Sequence, residues 1–234
     1  MSRRMGNAAQ DRPKCLIEMN GKTILGRMID NLQSAGINEL VMTVGYKHQM
    51  IRDFIAGNFP SVKVTYLLNE GYAENNNGYS LWMTRNDVKG PVFLLDSDIL
   101  FDAKILKQLL DCPESDCLAV RTSNALGEEE MKVAIDSGTK KITAISKQID
   151  PKTAYGESIG IERFSPDFLK GLYSVLDRRI SVEKKINEFY EASFQEMIEN
   201  SHSIYAVDIG PKKAAELDFP EDIAAAGKEI IPFI

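Results

Sequence analysis

Gly90-Pro91-Val92-Phe93-Leu94-Leu95-Asp96-Ser97-Asp98 sets an unbroken apolar run between a Gly-Pro breaker and an acidic tripeptide. Four apolar residues without alternation read as a buried parallel strand, and the acids mark its C-terminal end. The same grammar repeats outward. Ile24, Leu25, Met28, Ile29 and Leu32 recur at helical spacing, with Gly36 where a C-terminal cap belongs. Glu39 to Val44 reads as a strand, His48 to Phe59 as a helix closed by Pro60, and Val62 to Leu67 as a strand. A short helix is expected from near Asn77, carrying Leu81, Trp82 and Met83, and another over Ala103 to Leu110. Alternating helices and strands predict an α/β fold with a mostly parallel sheet and helices on both faces.

The pattern changes after Asp116. Asp116 to Arg121, Met131 to Ile135, Ile142 to Ile145 and Ser158 to Ile161 read as short strands. Helices follow over Pro166 to Asp177 and Val182 to Glu199, then a strand over Ser203 to Val207 and a terminal helix over Pro220 to Lys228. The expected organisation is one domain over 1–234, with a first half over 1–115 and a small mixed second half over 116–234.

The totals narrow the function. At 234 residues the chain suits one α/β domain. The net charge is −6 and the basic residues form no stripe, so a nucleic-acid groove is not expected. No apolar run is long enough for a bilayer span, so no membrane insertion is expected. Cys15, Cys112 and Cys117 are an odd set without metal-like spacing, which fits reduced thiols in the cytoplasm. A homodimer is compatible with this reading.

Four segments carry chemistry. Asp11-Arg12-Pro13-Lys14 follows a short polar loop containing Gly6. Backbone N–H groups of such a loop favour anions, and arginine and lysine then hold a triphosphate from two sides. Pro13 stiffens the segment that delivers Lys14. Asp96 and Asp98 both fall at the end of the apolar strand, where open α/β sheets bind ligands. Mg²⁺ favours one or two carboxylates together with phosphates and waters. Glu216-Leu217-Asp218-Phe219-Pro220-Glu221-Asp222 adds late acids, of which Glu221 and Asp222 suit the first turn of a helix. Tyr72-Ala73-Glu74-Asn75-Asn76-Asn77-Gly78-Tyr79-Ser80-Leu81-Trp82 offers side-chain amides that match the edge of a base, or that cap a helix.

In their order and spacing these segments resemble the nucleotidyltransferases, most closely the phosphocholine and 2-aminoethylphosphonate cytidylyltransferases. Ser2 to Leu16 looks like the second half of that family's signature, without the preceding strand and its Ala-Ala-Gly. The chain looks as if it begins inside the motif. The resemblance implies a Rossmann-like nucleotidyltransferase fold and a metal pair, Asp98 and Asp218, holding Mg²⁺. It implies phosphate contacts from Arg4, Lys14 and Lys147, and nucleotide contacts from Gly45, Asn76, Asn77, Ser80 and Asp96. The acceptor contacts implied are Glu157, Tyr190 and Glu191, with Trp82 and Tyr155 as further aromatic faces for a cationic head.

The reaction so implied is attack of a phosphate or phosphonate oxygen on the α-phosphorus of CTP, with loss of pyrophosphate. The acceptor is a small phosphorylated or phosphonylated amine or alcohol. Its oxygen is already ionised, so no general base is needed, and His48 and His202 lie outside the motifs. Positioning and charge neutralisation carry the rate. Two other readings remain: a GT-A-like glycosyltransferase using a nucleotide sugar, and an N-terminally truncated, inactive nucleotide-binding protein.

Overall fold

The computed structural model describes residues 11–122 and 126–234. In chain order the elements are β1 (Glu18–Met19), β2 (Lys22–Thr23), α1 (Ile24–Ser34), β3 (Glu39–Val44), α2 (His48–Asn58) and β4 (Lys63–Leu68). Next come α3 (Asn77–Met83), β5 (Val92–Leu95), β6 (Ile99–Phe101) and α4 (Lys104–Asp111). They are followed by β7 (Cys117–Arg121), β8 (Lys132–Ile135), β9 (Ile142–Ser146), β10 (Gly156–Phe164) and α5 (Pro166–Asp177). The chain closes with α6 (Glu191–Glu199), β11 (Tyr205–Asp208), β12 (Ala214–Glu216) and α7 (Pro220–Glu229). The architecture is α/β and Rossmann-like.

Two compact units interleave along the chain. The first takes the described part of Met1–Ala73 together with Asp96–Lys107 and Pro211–Ile234. Within it β3 and β4 pair in parallel, with α2 as the crossover between them. The apolar faces of α1 and α2 meet this pair, so Leu25, Ile29, Val44, Ile51 and Ile55 form one core with Cys15 and Leu16. Thr23 starts α1 by accepting the N–H of Gly26 at 2.9 Å. Asn20-Gly21 links β1 to β2 with φ of 49° and 74°, the left-handed pair that a two-residue hairpin turn requires. β6 and β12 pair antiparallel.

The second unit takes Glu74–Leu95 and Gln108–Gly210. Its sheet runs β11-β7-β10-β8-β9, with β5 also on β10. Nine-residue β10 is the spine: β7 lies along one edge, while β8 and β5 divide the other. A bulge between Ser158 and Glu162 accompanies Gly160 at φ 68°. Phe164, Phe168, Leu172, Tyr190, Phe194 and Met197 pack α5 and the α6 region onto Leu118 and Val120.

Two expectations change. Val92–Leu95 is a strand, but among the described residues its partner is β10 and the pairing is antiparallel. An apolar run reports burial on both faces, not strand direction. Val182 to Glu199 is not one helix. A π-type turn over Arg178–Val182 ends α5, Lys184 takes a left-handed φ of 61°, and α6 begins only at Glu191. Val182 and Phe189 are exposed, at 72% and 43%, so they share no buried face with Tyr190 and Phe194. Arg179 holds the break instead, binding Glu188 at 2.6 Å and Glu196 at 2.7 Å.

Gly156 is a point where the backbone of β10 comes too close to β7 for any side chain. An added Cβ would lie 2.5 Å from the Arg121 carbonyl oxygen. Gly156→Ala is expected to lower unfolding free energy by about 1–3 kcal/mol, measured by urea denaturation of the whole chain. Gly57→Ala, within α2 and with nothing within 4 Å of the new Cβ, should instead raise stability by about 0.4–1 kcal/mol.

Candidate active site

In the first unit the site is built from the backbone outward. Pro13 is buried, and its carbonyl accepts the N–H of Leu16 at 2.9 Å, forming the short 3₁₀ turn Lys14–Leu16. Cys15 and Leu16 are driven into the core, which turns Lys14 the other way. Upstream, Asp11 is clasped by two residues just past β3. Tyr46 donates its hydroxyl to the Asp11 carboxylate at 2.6 Å, and Lys47 donates to the Asp11 carbonyl at 2.6 Å. The Arg-Pro-Lys segment is therefore held at both ends.

Lys14 Nζ lies 2.7 Å from Asp98 Oδ2 and 2.7 Å from Asp218 Oδ1. Those two oxygens are consequently no farther apart than twice that distance. Asp98 stands in the turn between Leu95 and β6, and its carbonyl accepts the N–H of Leu217 at 3.1 Å. That bond fixes Asp218 one residue on. The Asp222 carboxylate accepts the N–H groups of both Asp218 and Phe219, at 2.7 and 2.6 Å. Asp222 thus serves the first turn of α7, and the Asp218 side chain points to the lysine. Burial disfavours the Lys14 ammonium; the opposing pull of Asp98 and then Asp218 is greater and raises its pKa above the ordinary lysine value. The neighbouring Cys15 thiol is pushed up to about 12 by burial and stays protonated.

The donor set suits a hard divalent cation. Among the described residues no three His, Cys, Asp or Glu side chains form a metal-holding group by themselves. Mg²⁺ does not require one: it takes one or two carboxylates and completes its octahedron with phosphates and waters. Asp98 and Asp218 already converge on a single cation, the ammonium of Lys14.

The other residues singled out in this unit are Gly45, Asp96 and Arg4. Gly45 follows β3 and lies under the ring of Tyr72, where a Cβ would sit 2.7 Å from the ring carbon Cγ. Asp96 begins the turn that carries Asp98. Arg4 lies outside the described residues.

The second unit gathers most of the remaining candidates along one seam. Asn76 caps α3 by accepting the N–H of Asn77 at 2.8 Å, and its own N–H bonds the Ile186 carbonyl at 3.0 Å. The Asn77 side-chain oxygen accepts the N–H of Tyr190 at 3.0 Å. Gly78 lies against the same segment, with room for no Cβ beside the Glu188 carbonyl. Ser80 lies within α3, beyond the capped first residues. Lys147 follows β9 and places its ammonium 5.2 Å from the ring centre of Phe189. Tyr190 is 2% exposed and packs its ring, tilted by 39°, against that of Phe194 at 5.0 Å, and Glu191 is buried in the first turn of α6. Trp82 has its ring covered by the Arg85 guanidinium at 3.7 Å and its indole N–H given to Asp177. Tyr155 has the Lys140 ammonium 4.8 Å from its ring centre.

Glu157 stands on β10 opposite Arg121 of β7 and Lys132 of β8. Arg121 Nε donates to its carboxylate at 2.5 Å. Burial raises the Glu157 pKa above the usual carboxylate range, and the guanidinium pulls it partly back. Lys132 is fully buried, with its ammonium shared among the carbonyls of Gly127, Glu128 and Glu130 at 3.1 Å each. Arg121, Lys132 and the Asp11 clasp carry no local sequence signal. They emerge only from strand register and from contacts across tens of residues.

Comparison with known proteins agrees with this geometry. Residues 1–151 match the MobA-like NTP transferase domain, so the chain belongs to that family and is a nucleotidyltransferase domain. Its curated relatives include cytidylyltransferases. The CTP:phosphoglutamine cytidylyltransferase of Campylobacter jejuni is 26% identical over 92% of this chain and 90% of that protein. The CMP-5'-(3-aminopropyl)phosphonate synthase of Streptomyces rubellomurinus is 30% identical over 50% of this chain, a match that spans 18% of that protein's length. In fold, the CTP:phosphocholine cytidylyltransferase of Streptococcus pneumoniae superposes with a TM-score of 0.79 at 17% identity, covering 97% of this chain and 93% of the other.

The Asn77 contact gives a prediction within the second unit. Asn77→Ala removes the acceptor for the Tyr190 N–H and is expected to cost about 1–3 kcal/mol, with faster amide exchange across 186–191. Asn77→Asp keeps an oxygen there and should retain most of the protection. Hydrogen-exchange mass spectrometry distinguishes the two.

Proposed function

We propose that the protein transfers a cytidylyl group from CTP to a small phosphorylated or phosphonylated acceptor that carries an amine, releasing pyrophosphate. The observation that carries this reading is the convergence of Asp98 and Asp218 on one cation beside the stiff Arg-Pro-Lys segment. The cytidylyl branch and the aminated acceptor are supported by the relatives, two of which are named for CTP with phosphoglutamine or phosphocholine and one for an aminopropylphosphonate.

The roles divide by unit. In the first, Lys14 neutralises the phosphate chain and stabilises the pyrophosphate as it leaves, with Arg4 as its partner from the signature loop. Asp98 and Asp218 hold Mg²⁺, which when bound neutralises charge on the phosphates. Gly45 lets the Tyr72 ring pack against the end of β3, which shapes that edge of the nucleotide site. In the second unit, Asn76 and Asn77 offer amide groups of the kind that read cytosine. Asn77 turns its oxygen to Tyr190, which leaves its NH₂ as the reading end. Glu157 and Glu191 supply negative charge for an ammonium, and Lys147 supplies positive charge for a phosphate or phosphonate. The acceptor oxygen attacks the α-phosphorus, the new P–O bond forms, and the bond to the β-phosphate oxygen breaks. The nucleophile arrives ionised, so the protein's contribution is orientation and electrostatics.

A pyrophosphate-release assay with CTP and Mg²⁺ tests this across phosphocholine, 2-aminoethylphosphonate, 3-aminopropylphosphonate, phosphoglutamine and a plain sugar phosphate. Turnover is expected with at least one aminated acceptor and not with the sugar phosphate. Asp98→Ala and Asp218→Ala should each lower kcat/KM by about 10²–10³-fold while leaving the fold intact by circular dichroism. Equal rates for CTP and UTP, or preference for the sugar phosphate, would overturn the cytidylyl and amine assignments.

A further inference from the structure

Lys14 occupies a position that the proposed reaction cannot leave unchanged. Its ammonium touches one oxygen of each of the two carboxylates assigned to the metal. A Mg²⁺ ion bound to those same oxygens at about 2.1 Å would lie within about 5 Å of the ammonium. Two cations sharing one pair of carboxylates repel strongly, and among the described residues the carboxylates paired with the Lys14 ammonium are those of Asp98 and Asp218.

The surrounding backbone leaves only one way out. Pro13, the 3₁₀ turn and buried Cys15 and Leu16 hold the Lys14 main chain, and the Asp11 clasp holds the segment before it. The flexible four-carbon stem is the part that moves. The side chain is 15% exposed, against 29% for Asp98 and 47% for Asp218, so the ammonium is the more enclosed member of the trio.

We infer that Lys14 is an internal counter-ion that excludes divalent metal from Asp98 and Asp218 until a triphosphate draws the ammonium away. The inference rests on the reading of this cluster as the metal and phosphate site. It sets the order of events. Metal alone competes with a cation already in place and binds weakly. A nucleoside triphosphate supplies oxygens for the ammonium and further ligands for the metal, so each ligand strengthens the binding of the other. The same lysine that later holds pyrophosphate therefore also keeps the two carboxylates together before substrate arrives.

The sign of one experiment separates this from a lysine that serves only phosphate. Mn²⁺ alone is titrated into the whole protein without nucleotide, and free Mn²⁺ is read by electron paramagnetic resonance. Lys14→Met and Lys14→Gln are expected to bind Mn²⁺ at least about tenfold more tightly than the parent chain, although both lose CTP turnover. Lys14→Arg keeps a cation in place and should bind as weakly as the parent. Lys14→Met combined with Asp98→Asn should lose the gain. Mn²⁺ affinity that is unchanged or weaker in whichever neutral variant stays folded, or a gain that survives Asp98→Asn, would overturn the counter-ion role. Absence of CTP turnover with every acceptor would instead count against the proposed reaction, since the Mn²⁺ titration involves no substrate.

Discussion

A single ammonium, that of Lys14, is shared by carboxylates 84 and 204 residues away in sequence, and the organisation of the first unit converges on that contact. Two carboxylates held this near each other repel unless a cation lies between them. The fold accepts the arrangement because each partner is fixed by its backbone. Pro13 and a one-turn 3₁₀ helix present the lysine, a backbone bond just beyond the β6–β12 pair aligns Asp98 with Leu217, and Asp222 takes the N–H groups of Asp218 and Phe219. Partly exposed ion pairs contribute little net stability. The cluster is better understood as an ordering of charge: two anions and a displaceable cation, waiting for a ligand with the opposite balance.

The second unit handles its charges differently. There, the groups expected to face ligands are largely engaged with their own chain. Asn76 and Asn77 tie α3 to the segment over 186–190, Arg121 binds Glu157, and Lys132 spends its charge on three carbonyls. Arg179 plays the corresponding part at the π-type turn by binding both Glu188 and Glu196. Such contacts set the shape of the loops that carry Phe189, Tyr190 and Glu191. The chemistry proposed for those loops depends on that shape as much as on the residues themselves.

Much of this was legible in the residues. Helical periodicity and end signals located α1, α2, α3 and α5 within a residue or two, and α7 was located by Pro220 with Glu221 and Asp222 in its first turn. Asp98, Asp218 and Lys14 were legible as a set only through the resemblance of their motifs to those of the nucleotidyltransferases, and the structure places Lys14 Nζ 2.7 Å from an oxygen of each aspartate. The direction of β5 was not legible, since an apolar run is the same in parallel and antiparallel sheets. The break between residues 182 and 191 was hidden because Val182, Ile186, Phe189 and Tyr190 imitate a helix face. What holds the break is side-chain pairing that no periodicity shows: two arginines paired with acids through and beyond the bend. The Asn20-Gly21 hairpin went unread because its strands are two residues each, and β6 and β12 are three residues each and have meaning only as a pair.

The most direct test of the central claim is the anomalous scattering of Mn²⁺ in crystals of the protein grown with a non-hydrolysable CTP analogue. The account predicts one metal peak coordinated by both Asp98 and Asp218, with the Lys14 ammonium moved off the carboxylates and onto phosphate oxygens. A metal bound elsewhere, or Lys14 still bridging the two aspartates beside a fully ordered nucleotide, would contradict it.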